Sequence, residues 1–272
     1  GFRDTCQDML AQAYRKPAWA TEMLYYLASQ QFEDGHPVHT AWPEDRKLPQ
    51  DITRSDNHIW MSYLAYAIVA ETGNLSILDK EIPFLDKDMK SPVGNASIWE
   101  HLLRGIEFTE SHKGQHGLPL ILFSDWNDHL GPFGRKGKGE SIFVSEQHIY
   151  SLRLLSELAE MRGETEEVKR FGKLIKAQEN ALEKYAWDGE WFVRAYDAQS
   201  QKIGSKECEE GKIFIEPQGF AIMSDIDADA TKKTLKSIDE RLNTQHGLVL
   251  NNPAFSKYYI QYGEISTYPG GY

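Results

Sequence analysis

Residues 140–185 read ESIFVSEQHIYSLRLLSELAEMRGETEEVKRFGKLIKAQENALEKY. Ile149, Leu152, Leu155 and Leu158 recur every third residue and form one apolar stripe, which predicts a helix over 140–162. Gly163 ends it. A second helix follows over 165–185, where Glu166, Glu167, Lys169, Arg170, Lys173 and Lys176 make a wide wet face. An apolar helix followed by a polar one is what the inner and outer layers of a helical toroid require.

The same pairing recurs outward from this segment. Helices are predicted over 4–15 and 16–31, divided at Pro17, which suits a first helical turn because its missing N–H costs nothing there. The stretch 55–72 starts at a capping Ser55 or Asp56 and stops at Gly73-Asn74. Trp60, Leu64, Ala67 and Ile68 lie on one of its faces, and Met61, Tyr63 and Tyr66 cover much of the rest, so it is buried on more than one side. Further helices are read over 96–112, over 216–224, and over 227–242 from Asp227 or Asp229. This is one all-α domain over 1–272, of the α/α-barrel type. It has about four of the six hairpins that a closed toroid needs. Long segments at 32–54, 113–139 and 186–215 separate the pairs, and loops of that length usually carry function. Trp191 to Tyr196 alternates as a short strand would.

The 272 residues are 40% hydrophobic and 26% charged, the mix of an ordinary globular protein, and the formal charge is -11. Such a field repels phosphate backbones and anionic lipid, which argues against nucleic acid and membrane surfaces as partners. Two cysteines, Cys6 and Cys208, are too few for a secreted disulfide scaffold, and a cytoplasmic location is expected. No signal peptide and no apolar run of membrane-spanning length occur. The abrupt opening at Gly1-Phe2-Arg3-Asp4 reads as a cut within a longer protein.

Three segments can carry chemistry. Phe123-Ser124-Asp125-Trp126-Asn127-Asp128-His129 packs two carboxylates, an indole, an amide and an imidazole together. A glycosidic bond needs a proton for its leaving oxygen and a flat apolar platform for the sugar, and an Asp beside a Trp supplies both. Burial against an indole disfavours the charged form of an acid. The alternative is an Asx-turn whose Trp anchors the loop. Near the start, Asp4 caps a helix and Arg3 pairs with a carboxylate, or Arg3 and Asp4 grip vicinal sugar hydroxyls. The run Tyr262 to Tyr272 is a Pro-Gly-Gly turn, or its Glu264 and Tyr268 meet a second sugar.

Other motifs carry less. Gly131–Gly139 fails as a phosphate loop because Lys138 precedes Gly139 rather than Ser or Thr, and it reads as a flexible basic loop. Glu140 is expected in the favourable first turn of the next helix. Asp56-Asn57-His58 reads first as a cap and second as pocket wall. The nine histidines have no metal-ligand spacing, and no Gly-x-Ser-x-Gly elbow supports acyl transfer.

In order along the chain, eight segments resemble glycoside hydrolase family 94, the cellobiose and chitobiose phosphorylases. They are Gly-Phe-Arg-Asp-x-Cys-Gln-Asp at 1–8, Gln-Phe-x-Asp-Gly at 31–35, Ser-Asp-x-His-x-Trp at 55–60 and Glu-Thr-Gly-Asn-Leu-Ser at 71–76. Asp-Trp-Asn-Asp at 125–128, Lys-Gly-Glu-Ser at 138–141, Glu-Pro-Gln at 216–218 and Gly-Glu-x-Ser-Thr-Tyr-Pro at 263–269 follow. The resemblance implies an (α/α)6 barrel. It implies inverting phosphorolysis of a β-linked glucosyl disaccharide or oligosaccharide to an α-sugar 1-phosphate and a shortened sugar. It makes Asp128 the general acid and places Trp126 at the donor sugar. Asp4 would bind donor hydroxyls with Arg3 and Asp8, Glu264 and Tyr268 would face the acceptor, and Gln218 is a further pocket candidate. It calls for no cofactor and no metal, with inorganic phosphate as co-substrate, and it implies a homodimer.

The family's N-terminal β-sandwich, its helical linker and the C-terminal segments that hold phosphate are not in these 272 residues, so the piece alone is expected to be inactive and its barrel open. Two other readings share the same residues. An inverting hydrolase would need a second carboxylate roughly 6.5–9.5 Å from the acid. A non-catalytic relative would bind sugar without turnover.

Overall fold

The computed structural model describes residues 1–40, 52–134 and 136–267. Nine helices occur among them: α1 (Phe2–Arg15), α2 (Pro17–Ala28), α3 (Asn57–Thr72), α4 (Ile98–Ser111), α5 (Gly131–Gly134), α6 (Ile142–Arg162), α7 (Thr165–Ala181), α8 (Ile215–Met223) and α9 (Ala228–Arg241). The strands are short: β1 (Glu81–Leu85), β2 (Pro92–Ser97), β3 (Glu140–Ser141), β4 (Ala195–Tyr196), β5 (Lys202–Ile203), β6 (Ile213–Phe214), β7 (Asn243–Thr244), β8 (Gly247–Leu248) and β9 (Asn251–Asn252). The chain divides into two compact units, Gly1–Ser111 with Ser151–Gly172, and His112–Tyr150 with Lys173–Tyr272. Helices α6 and α7 each contribute residues to both.

In the first unit, α1 buries Phe2, Cys6, Met9 and Ala13, a spacing of four, three and four that keeps one face inward. Helix α2 starts on Pro17 as expected and buries Ala20, Leu24, Leu27 and Ala28. Helix α3 is the central element. Eleven of its residues are buried on all sides, among them Trp60, Met61, Leu64 and Ile68, and Gly73 closes it in the left-handed conformation. Helices α1 and α2 pack on α3 and on each other, and α4 packs on α3. Each fully buried side chain of the size of Leu24 or Ile68 contributes about 1.5–3 kcal/mol. From α6, Leu152, Leu155 and Leu158 join this unit, buried as their stripe predicts. Arg162 closes α6 with ion pairs to Asp79 and Glu164, each at 2.7 Å.

The β1–β2 hairpin is antiparallel, Glu81 facing Ser97 and Leu85 facing Pro92. Before α4, the turn at Gly35 comes so close that a Cβ there would lie 2.0 Å from the Arg104 carbonyl oxygen, at a φ of +101°. Gly35→Ala is therefore expected to cost at least about 2 kcal/mol, through strain and overpacking together. A thermal melt of the variant reads this as a midpoint several degrees lower; an unchanged midpoint would show that the turn yields.

Besides a small cluster of Trp191, Ile213 and Leu242, the second unit surrounds two larger apolar clusters. One contains Leu118, Ile142, Ile149, Leu182, Phe192 and Val193. The other contains Ile121, Leu130, Phe133, Ala195, Phe214 and Ile265, and lies beneath the segment 121–134. Strands β3, β4 and β5 form a small antiparallel sheet in that order. Asp227 caps α9, its carboxylate accepting from the Ala230 N–H at 2.7 Å.

The structure corrects several local expectations. Glu140 is not in a helical first turn. It lies in β3, and its buried carboxylate accepts from the His116 and Leu118 backbone N–H groups and pairs with the His116 ring. Ser141 makes the cap of α6 instead, its Oγ accepting from the Val144 N–H at 3.1 Å. The Gly131–Gly139 run is not a loop throughout: Gly131–Gly134 is the short helix α5, with Gly131, Phe133 and Gly134 buried. Of Trp191 to Tyr196, only Ala195 and Tyr196 pair as a named strand, with a bridge between Trp187 and Phe192.

Candidate active site

The segment 123–130 is built by two successive Asx turns. The Asp125 carboxylate accepts from the Asn127 N–H at 2.9 Å, and the Asn127 side-chain carbonyl accepts from the His129 N–H at 3.1 Å. The second turn caps a single 3₁₀ turn, Asp128–Leu130. The consequence is alternation. Ser124, Asp125 and Asn127 point inward and are buried, while Trp126 and Asp128 are exposed. Of the alternative reading, the Asx turn is present, but Trp126 is exposed rather than buried as an anchor, and the Asp128 carboxylate faces outward with it.

Of the inward side chains, Asp125 meets a buried cation directly. Arg194, with no exposed surface, donates from Nη1 to Asp125 Oδ2 at 2.7 Å and from Nη2 to Asp125 Oδ1 at 2.8 Å. Ser141 Oγ donates to the same Oδ2 at 2.7 Å. Glu216 stands on the other side, 3.5 Å from Arg194 Nε, and its Oε1 accepts from Asn127 Nδ2 at 3.0 Å. Burial pulls the Arg194 guanidinium down, but Asp125 and Glu216 outweigh it and hold the guanidinium above its ordinary range. Arg194 also lies over the Phe143 ring, 5.5 Å from its centroid. Glu146, fully buried on α6, has no hydrogen-bond partner for either oxygen among the described residues. Burial pushes its carboxyl well above the ordinary range, against the opposing pull of Arg194.

The burial expected of Asp128 is not found: its side chain is exposed. Ser124 Oγ donates to Asp128 Oδ1 at 3.4 Å. Glu264 is brought to the same place. Its turn, Gly263–Thr267, packs on the turn Asp128–Leu130, and Glu264 Oε2 lies 3.8 Å from His129 Nε2. Tyr268, the other acceptor-side candidate, lies outside the described residues, as does the Pro-Gly-Gly turn.

Gln218 is enclosed in the second unit. Its amide donates to the Phe192 and Phe214 carbonyls and accepts from the Phe192 N–H, tying α8 to the segment before β4.

The other candidates belong to the first unit. Arg3 is buried on α1 and donates to Asp56 Oδ1 at 3.4 Å, and its Nε is 3.9 Å from Asp4 Oδ1. Asp4 and Asp8, one helical turn apart, are both exposed on the outer face of α1. Asp56 occupies the cap position of α3 without capping it. Its carboxylate accepts from Trp60 Nε1 at 2.9 Å and from Arg3.

Sequence reading missed Arg194, Ser141 and Glu216 as the partners that hold the loop 123–130. The available signal was a charge at 194 inside the apolar run 191–196. Among the described residues no group of three or more His, Cys, Asp or Glu is placed to hold a metal, and no helix is long and apolar enough to cross a membrane.

Solabiose phosphorylase from Paenibacillus borealis is 30% identical over 276 residues, covering 100% of this chain and 34% of that protein. N,N'-diacetylchitobiose phosphorylase from Vibrio furnissii is 29% identical, covering 94% of this chain and 34% of that protein. The chain thus spans about a third of the length of the curated relatives it matches. Among solved structures, a rhamnosidase from Klebsiella oxytoca with rhamnose bound covers 88% of this chain and 40% of its own at a TM-score of 0.62 and 11% identity, a likeness of fold alone. The family profile described as "Glycosyl hydrolase 94 superfamily, catalytic domain" matches residues 1–272. With that match running from the first residue to the last, the chain belongs to the glycosyl hydrolase 94 superfamily and carries catalytic-domain sequence.

Proposed function

We propose that this chain is the acid-bearing part of an (α/α)6-barrel phosphorylase that cleaves a β-linked glucosyl disaccharide or oligosaccharide with inversion. The observation that carries the reading is the loop 123–130, which turns Asp128 and Trp126 outward while burying and anchoring the residues between and before them. An exposed indole beside a carboxyl offers a stacking face for a pyranose and a proton within reach of its leaving oxygen. Relatives named as phosphorylases of solabiose and diacetylchitobiose support the reaction class.

Hydrogen phosphate attacks the anomeric carbon from the face opposite Asp128. The bond to the glycosidic oxygen breaks, and Asp128 gives its proton to that oxygen as the shorter sugar leaves. The hydrogen that phosphate brought restores the Asp128 carboxyl, so the sum is disaccharide plus hydrogen phosphate giving sugar 1-phosphate plus sugar. No second carboxylate is needed, because phosphate is a nucleophile without a base, whereas water in an inverting hydrolase is not. Glu264, held beside the acid's turn through His129, faces the acceptor sugar. Arg3, Asp4 and Asp8 bind donor hydroxyls.

The test is a screen of β-linked disaccharides with the full-length protein, with and without inorganic phosphate. Sugar release is expected to require phosphate and to yield α-sugar 1-phosphate. Release at the same rate without phosphate would favour the hydrolase instead.

A further inference from the structure

Arg194 touches no sugar in this scheme, yet the loop that carries the acid is assembled on it. Its guanidinium fork holds Asp125 through two bonds of 2.7 and 2.8 Å. Through Glu216 it reaches Asn127, whose amide donates to Oε1 of that carboxylate at 3.0 Å. Asp125 and Asn127 are the heads of the two Asx turns, one on each side of Trp126, and the second turn leads directly into Asp128. A third link runs through Phe143, which lies under the guanidinium and 6.4 Å from the Trp126 ring centroid. Asp128 is exposed and accepts from Ser124 Oγ at 3.4 Å, and the place of its carboxyl depends on the turn that carries it.

We propose that Arg194 is a positioning residue for proton donation: by clamping Asp125 directly and Asn127 through Glu216, it aims Asp128 at the leaving oxygen. The inference rests on the reading of Asp128 as the general acid. A misplacement of about 1 Å at a reacting group is worth on the order of 10²-fold in rate. Lysine at 194 would keep the charge but could not reproduce the planar fork that grips both oxygens of Asp125.

The test uses the full-length protein with saturating phosphate and two substrates, the natural disaccharide and the dinitrophenyl β-glycoside of the same donor sugar. The dinitrophenolate leaves without a proton, so a fault in aiming the acid affects only the disaccharide. Arg194→Lys is expected to lower kcat on the disaccharide by about 100-fold with KM changed by less than about threefold, and to leave kcat on the dinitrophenyl glycoside within about threefold. Ser141→Ala, which removes one hydrogen bond to Asp125 and leaves the cation in place, is expected to show the same selectivity at about tenfold. It decides the matter if Arg194→Lys does not fold. Equal loss on both substrates, or no loss on either, overturns the inference. Asp128→Asn runs beside them. If it shows the selective loss and the other two do not, only the positioning role falls. If Asp128→Asn lacks selectivity, the acid assignment falls and this inference with it.

Discussion

Asp128→Asn in the full-length protein is expected to lose about 10²–10⁴ in the rate of disaccharide phosphorolysis, the usual worth of a positioned general acid. The amide keeps the shape of the carboxyl and can still accept from Ser124 Oγ, 3.4 Å away in the native chain. It has no acidic proton to give. Because residue 128 is exposed and its loop is anchored by Asp125 and Asn127, the fold should not register the change. Exposed substitutions of this kind stay within about 0.5 kcal/mol, so the thermal midpoint should move by no more than about 2 °C. Phosphorolysis assays and a melt on the same preparation check both halves. A rate within a few-fold of the parent would remove Asp128 from the chemistry.

The second large effect concerns the cation under that loop. Arg194→Met leaves Asp125 and Glu216 buried with no positive charge between them. Breaking a buried pair by removing one partner costs about 3–5 kcal/mol, because the survivor has been taken out of water and left uncompensated. For a protein of this size the melting midpoint should fall on the order of 10 °C. The double change Arg194→Met with Asp125→Asn should be less damaging than Arg194→Met alone, since one uncompensated charge is gone. An Arg194→Met midpoint equal to the parent's would mean that water reaches this site and replaces the cation.

The helical layout was legible from the residues because it rests on local signals. Pro17 sits at the first turn of α2, Gly73 ends α3, Gly163 follows α6, and Asp227 caps α9, each where its side chain or missing side chain dictates. The all-round burial of α3 was visible in its lack of a polar face. The β1–β2 hairpin went unread, for Pro83, Pro92 and Gly94 suppress the strand pattern, and pairing supplies what propensity does not.

The candidate site was legible in part. Asp128 and Trp126 stand out as chemistry-bearing types in one loop, and four consecutive residues are enough to find them. Arg194 does not, because it meets Asp125 from 69 residues away and nothing local marks that meeting. Asp56 shows the converse limit. At a helix start an Asp reads as a cap, and only the tertiary fold hands its carboxylate to Trp60 and Arg3 instead. The exposure of Asp128 was equally out of reach, since which of five consecutive polar and aromatic residues turn outward is set by Asx turns whose inward members need a partner from a distant segment.

The most direct test of the account is the dependence of rate on leaving-group acidity. A series of aryl β-glycosides of graded phenol pKa is turned over with saturating phosphate by the full-length protein and by its Asp128→Asn variant. Proton donation by Asp128 predicts a nearly flat plot of log kcat for the native protein and a steep fall with rising phenol pKa for the variant. Parallel plots for the two would contradict it.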